Sequence, residues 1–229
     1  MLLAQPGRDV SAAPPPTHID SVFSVSGERL PADHNYGLYA ALSKLCPAIH
    51  NEPRFAVQTI AGIPDRQGKI ALAPWSKLRL RLPSESLPKI CVLAGKQLTI
   101  GSHAIRLGNP QIQLLRPADT LWARLVTIKG YQEPEEFLGA LDRQMAALGI
   151  RALAGIPSNE SGQPKRLTLR IKRYTVVGFS VVMAELSPKD SIRLQTEGLG
   201  GKRRMGCGVF VRENSILSAV GGDRHANTN

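Results

Sequence analysis

The stretch GLGGKRRMGCGVF, residues 198–210, places five glycines and three consecutive cations in thirteen positions. Backbone N–H groups in such a loop can face phosphate oxygens, and the cations attract them, so the chemistry on offer is polyanion binding. Two nucleotide cradles are excluded. Gly201-Lys202 is followed by Arg203 where a P-loop needs Ser or Thr, and the sixth position from Gly198 is Arg203 where the dinucleotide fingerprint needs Gly. The loop is also expected to follow a helix and precede a strand, the reverse of both motifs. A tight turn with a bulge at Gly206 or Gly208 explains the glycines but leaves Lys202, Arg203 and Arg204 unexplained. A nucleic-acid backbone is the natural ligand, with Gly200 and Gly201 among the residues offering amides.

Proton transfer near neutral pH is histidine chemistry, and the chain has five histidines. His18 borders the N-terminal leader, His225 lies in the tail, and His103 sits in GSHAIRLG, a turn between strands. His34 stands in an Asp33-His34 pair before a helix, where capping or packing competes with chemistry. His50 follows that helix after Pro47, near Asn51 and Arg54. Cys46, Cys91 and Cys207 are too few and too scattered for a disulfide framework or a zinc site, so neither metal nor cofactor is expected.

The elements that would position these groups alternate. A strand near 19–25 leads to the helix HNYGLYAALSKLC, with Leu38, Ala41, Leu42 and Leu45 on one face and Tyr36, Tyr39 and Ser43 on the other. Strands are expected near 55–60, 69–73, 77–82, 97–106 and 111–115, with a short helix in SESLPKICVL. LWARLVTIKG then reads as a strand and EPEEFLGALDRQMAALG as a helix with acids in its first turn. A short strand near 151–156, a long hairpin or broken strand in RLTLRIKR and YTVVGFSVVMAEL, a helix in SPKDSIRLQTEG and a closing strand CGVFVRE follow. The order β-α-β-β-α-β occurs twice, giving an α+β chain of tandem ferredoxin-like (RRM-like) domains with a C-terminal Gly-rich loop. The expected division is a leader over 1–17, domains over 18–117 and 118–213 with the Gly-rich loop at 198–208, and a tail over 214–229.

Charge narrows the partners. In 229 residues, 29 Lys and Arg oppose 18 Asp and Glu, giving +11 and a pI near 10.0. Such an excess favours nucleic acid or an anionic membrane. No apolar run is long enough to cross a membrane, and the N-terminus lacks the regions of a signal peptide, so a cytoplasmic protein is expected. In KLRLRL, Lys77, Arg79 and Arg81 share one strand face against three leucines. In RLTLRIK, Arg166, Thr168, Arg170 and Lys172 do the same. Edge protection explains either strand alone; two such strands plus the Lys-Arg-Arg loop point to a phosphate track on the open sheet faces. Aromatic content is 5% with no interleaved stack, so gripping of a nucleic-acid backbone is favoured over base stacking.

The tandem order ending in EGLGGKRRMGCGVFV resembles the CRISPR-associated repeat-processing endoribonucleases of the RAMP superfamily. PADHNYGLYAALSKLCPAIHNE is similar to their first helix and the histidine after it. The resemblance implies metal-free cleavage of CRISPR repeat RNA, in which the 2′-hydroxyl attacks the neighbouring phosphorus, and association of the crRNA product with other effector-complex subunits. It implies His50 as the catalytic histidine and Arg54 near a helping cation. The family's helical tyrosine aligns most directly with Ser43, while Tyr36 and Tyr39 lie earlier on the same face. A non-catalytic crRNA-binding subunit is the alternative, and a basic ribosomal or chaperone-like protein is a weaker third reading.

Overall fold

The computed structural model describes residues 17–65 and 67–212, so the leader, the tail and His225 lie outside the described residues. The first domain comprises β1 (His18–Gly27), β2 (Arg29–Pro31), α1 (Asn35–Leu45), α2 (Ala48–Asn51), β3 (Ala56–Val57), β4 (Ile63–Pro64), β5 (Lys69–Ala71), β6 (Lys77–Pro83), α3 (Leu87–Ile90), β7 (Gln97–Ile100) and β8 (His103–Leu114). Its main sheet runs β3-β6-β1-β8-β7, with all neighbours antiparallel. Residues 18–23 of β1 are all buried, as a central strand covered on both faces requires.

Two expectations for this domain are corrected. The strand near 69–73 does not join the main sheet but forms a small separate one, β2-β5-β4. The single strand expected over 97–106 is two strands, because the chain reverses at Gly101 with φ 61°. The second of them runs on to Leu114 and absorbs the strand expected at 111–115. Pro110 is tolerated there because β7 pairs only with residues 103–106, leaving the rest of β8 an edge on that side among the described residues.

The second domain comprises β9 (Leu121–Val126), α4 (Pro134–Ala147), β10 (Leu153–Gly155), β11 (Arg166–Ile171), β12 (Tyr174–Ala184), α5 (Pro188–Glu197) and β13 (Val211–Arg212). Its sheet runs β10-β12-β9-β13, with β11 hairpinned onto β12. In both domains the first and third strands of the repeat lie centrally, side by side. The fold is therefore two ferredoxin-like units in tandem. Phe137 of α4 meets Phe179 of β12 at 4.9 Å between ring centroids, and Leu121, Leu141, Val181 and Leu194 complete the same core. Ser187 caps α5 by accepting the Asp190 N–H at 3.1 Å.

The alternation in β6 places Leu78, Leu80 and Leu82 in the first domain's core. Its other face does not meet solvent as expected. Arg81 is 1% exposed. It donates from Nε and Nη2 to the two Asp20 carboxylate oxygens at 2.8 and 2.9 Å. Its Nη1 donates to the carbonyls of Gln195 and Phe210, in the second domain, at 2.9 and 2.7 Å. Arg81 is thus a buried brace between the domains, and the expectation that it contacts RNA on an open face is withdrawn. Replacing it by Met leaves the Asp20 charge and two carbonyls without their donor. Urea unfolding of Arg81→Met is expected to show a loss of about 3–5 kcal/mol, the usual cost of breaking a buried pair.

Candidate active site and RNA interface

Leu38 and Leu42 anchor α1 in the core, and Tyr39 between them is 8% exposed. The tyrosine, expected on the face opposite the leucines, belongs to the same core, and Arg204 of the second domain lies over its ring. Pro47 turns the chain into the short α2, which brings His50 back beside α1. The Tyr39 hydroxyl and His50 Nδ1 are 2.6 Å apart, and the two rings are near-parallel at 28°. His50 itself is exposed.

The third member of this cluster comes from the Gly-rich loop. Lys202 takes a left-handed conformation and Arg203–Met205 form a single 3-10 turn. Gly206, φ 80°, lies so close to the first domain that a Cβ would come within 2.8 Å of Thr59 Oγ1 and 2.9 Å of Asn35 Nδ2. The Arg204 guanidinium lies 5.9 Å from the Tyr39 ring centroid, and its Nη1 donates to the His50 carbonyl. Met205 packs against both the first domain's core and the cluster of Leu125, Leu169 and Cys207.

The three adjacent cations diverge. Lys202 points to solvent and Arg204 reaches the His50–Tyr39 pair. Arg203 donates from Nη2 to the Thr196 carbonyl at 2.7 Å. Burial, reinforced by the charge of Arg81, lowers the Arg203 guanidinium to about 10, so it stays charged at neutral pH. The amides of Gly200 and Gly201 are not available to phosphate as expected. They donate to Gln144 Oε1 at 2.8 Å and the Thr127 carbonyl at 2.9 Å. Gly200 is glycine because a Cβ would lie 2.5 Å from that Thr127 oxygen.

His34 is 1% exposed, and both its ring nitrogens are occupied. Nδ1–H donates to the Pro31 carbonyl at 2.8 Å and Nε2 accepts the Ile60 N–H at 3.2 Å. It is a neutral structural histidine, so its candidacy for proton transfer is withdrawn. Arg54 sits on the surface, paired with Glu52 at 3.0 Å and Glu85 at 3.2 Å. Ser43 Oγ is buried with no hydrogen-bond partner among the described residues, and Tyr36 packs against the core. Burial pushes the Cys207 thiol up to about 12, leaving it inert as a nucleophile.

On β11, Arg166, Thr168 and Arg170 are exposed while Leu169 is buried, and Lys172 occupies the hairpin turn with φ 54°. Of the β6 cations, Lys77 Nζ donates to the Pro74 carbonyl at 3.3 Å and Arg79 Nη1 to Gln113 Oε1 at 2.8 Å. Arg79 lines a cleft of about 490 Å³ between the domains, together with Gln58, Arg116 and Arg212. The sequence reading missed Arg116 and Arg212. One lies between the sheets and the other in a two-residue strand, so neither shows alternation.

Tandem ferredoxin-like sheets thus gather a histidine, a tyrosine and an arginine into one cluster. The family model described as Cas6 Crispr matches residues 19–215. The chain is 34% identical over 193 residues to the CRISPR-associated endonuclease Cas6 of Myxococcus xanthus (strain DK1622), covering 84% of this chain and 80% of that one. Similar solved structures include a CRISPR associated protein Cas6 (TM-score 0.59, 12% identity, 85% of this chain and 98% of that one). A Cas6-related protein from Pyrococcus furiosus matches equally (TM-score 0.59, 15% identity, 85% and 98%). A RAMP protein binding different RNA substrates follows (TM-score 0.55, 14% identity, 84% and 98%). This chain belongs to the Cas6 family.

Burial holds the His34 imidazole below its ordinary 6.5. The unfolded chain therefore takes up a proton that the folded site refuses, and stability is complete above pH 6.5 and falls as pH drops through the folded value. His18, also lowered chiefly by burial, adds to the same slope. In His34→Gln the urea midpoint is expected to change less with pH below 6.5 than in the wild type, and the folded variant is expected to retain RNA cleavage.

Proposed function

We propose that this chain binds the repeat RNA of CRISPR precursor transcripts and cleaves it without a metal, by attack of a ribose 2′-oxygen on the adjacent phosphorus. The observation that carries this reading is the Tyr39–His50–Arg204 cluster, with His50 held on one ring nitrogen and exposed on the other side. With Nδ1–H donating to the Tyr39 oxygen, Nε2 carries a free lone pair. It takes the 2′ proton as the new P–O2′ bond forms. The imidazolium then returns a proton to the departing 5′ oxygen as the P–O5′ bond breaks, leaving a 2′,3′-cyclic phosphate and a 5′-hydroxyl. Arg204 neutralises the charge gathering on the phosphorane oxygens. Tyr39 orients the ring.

Binding rests on other residues. Arg166, Arg170 and Lys172 on the β11–β12 hairpin and Lys202 beside the site supply an exposed cationic track for the RNA backbone. Arg79, at the cleft, extends it, and Lys77 lies at the start of the same strand. The product stays on this track, where the chain would hold crRNA within an effector complex.

The test is cleavage of CRISPR repeat RNA in EDTA. His50→Ala is expected to slow a single cut by about 10²–10⁴ with binding retained, and Arg204→Ala by about 10²–10³. A cut that survives His50→Ala overturns the site assignment. Tight binding with no cut by the wild type overturns the nuclease in favour of a crRNA-holding subunit. In a separate salt titration, Arg170→Ala and Lys202→Ala are each expected to reduce the slope of log K against log [salt] by about one.

A further inference from the structure

We propose that Asp33 is a positioning residue, fixing the basic β11–β12 hairpin in register with the His50 site. Its Oδ2 accepts the backbone N–H of Arg170 at 2.8 Å, across 137 residues of sequence and between the two domains. The inference rests on the RNA-cleaving role proposed above.

Among the described residues β11 is an edge strand, paired only with β12. Edge strands present N–H groups that no neighbouring strand receives, and Asp33 supplies an acceptor for one of them. The carboxylate is itself well placed to do so. It directly precedes His34, whose two ring nitrogens are fixed to Pro31 and Ile60, and His34 leads into α1, which carries Tyr39. A short chain of fixed groups therefore links the strand bearing Arg166 and Arg170 to the helix bearing the site. Electrostatics argue against a direct role in binding. Asp33 is an exposed acid beside Arg170, where a carboxylate repels phosphate, so its use lies in holding the protein rather than the RNA.

Removing the bond does not unfold the hairpin, because Leu169 remains buried with Leu125 and Cys207. It lets the strand shift over the site. A displacement of about 1 Å between a bound substrate and its catalytic groups can cost about 10² in rate. Asp33→Ala is therefore expected to melt close to the wild type and to bind repeat RNA within about threefold. Its single-turnover cleavage is expected to fall by about 10–10², with new cuts at neighbouring phosphates. Asp33→Asn keeps an amide oxygen that accepts the same N–H, and is expected to restore both rate and single cut. A role that needed the negative charge would not be rescued.

Hydrogen exchange of the segment 166–175 tests the contact without any RNA. Exchange is expected to be faster in Asp33→Ala and near wild type in Asp33→Asn. Unchanged exchange in Asp33→Ala overturns the proposal whether or not the chain cuts RNA. So does wild-type rate and cut position in Asp33→Ala, or an Asp33→Asn variant as impaired as the alanine. If the wild type cuts nothing while exchange behaves as expected, the contact stands and the catalytic reading falls.

Discussion

A guanidinium sealed from water joins the two halves of this molecule. Arg81 satisfies the Asp20 carboxylate with one side of its planar fork and still has a nitrogen for two carbonyls of the opposite domain. A lysine, with a single point-like head, could not serve both at once. Sliding one domain over the other would leave Arg81 paired with Asp20 but take its Nη1 hydrogens away from the Gln195 and Phe210 carbonyls, and a hydrogen bond to a charged group contributes about 1.5–3 kcal/mol. The seam therefore specifies one relative orientation of the sheets. Everything between them inherits that orientation, including the approach of the Gly-rich loop to α1.

The glycines of that loop serve packing rather than anion capture. Gly200 and Gly206 allow backbone to come within van der Waals reach of Thr127, Thr59 and Asn35, and the loop's amides are tied to the protein's own oxygens. The consequence is a stiff turn from which side chains can be aimed. Residues adjacent in sequence then do unrelated work, with Arg203 in the seam, Arg204 on the histidine and Lys202 toward solvent. A run of cations in sequence is not a patch of cations in space.

Much of the fold was legible because its signals are local. The alternation of β6 and β11, the spacing of Leu38 and Leu42, and the Ser-Pro start of α5 each report a neighbourhood of a few residues. His50 could be proposed because it follows a proline-broken helix and matches the family's histidine, whereas the resemblance set the helical tyrosine at Ser43 and only the fold brings Tyr39 to His50. What was not legible depends on the other domain. Arg81 alternates like a solvent-facing cation, and nothing in KLRLRL reveals that Gln195 and Phe210 lie above it. His34 stands open between packing and chemistry until the Ile60 N–H occupies its Nε2. Tyr39 reads as lying opposite the core leucines, and nothing local reveals the arginine over its ring. The pairing of Asp33 with Arg170 has no local trace at all.

The order in which these parts lie along the chain has its own meaning. His50 and Tyr39 belong to the first helices, whereas Arg204 lies 154 residues after His50 and almost at the end of the described fold. A ribosome releases the histidine and tyrosine long before the arginine that meets them. A nascent chain carrying the whole first sheet and most of the second still lacks that arginine. A chain that stops short of Arg204 therefore holds the tyrosine and the histidine without the cation that lies over them.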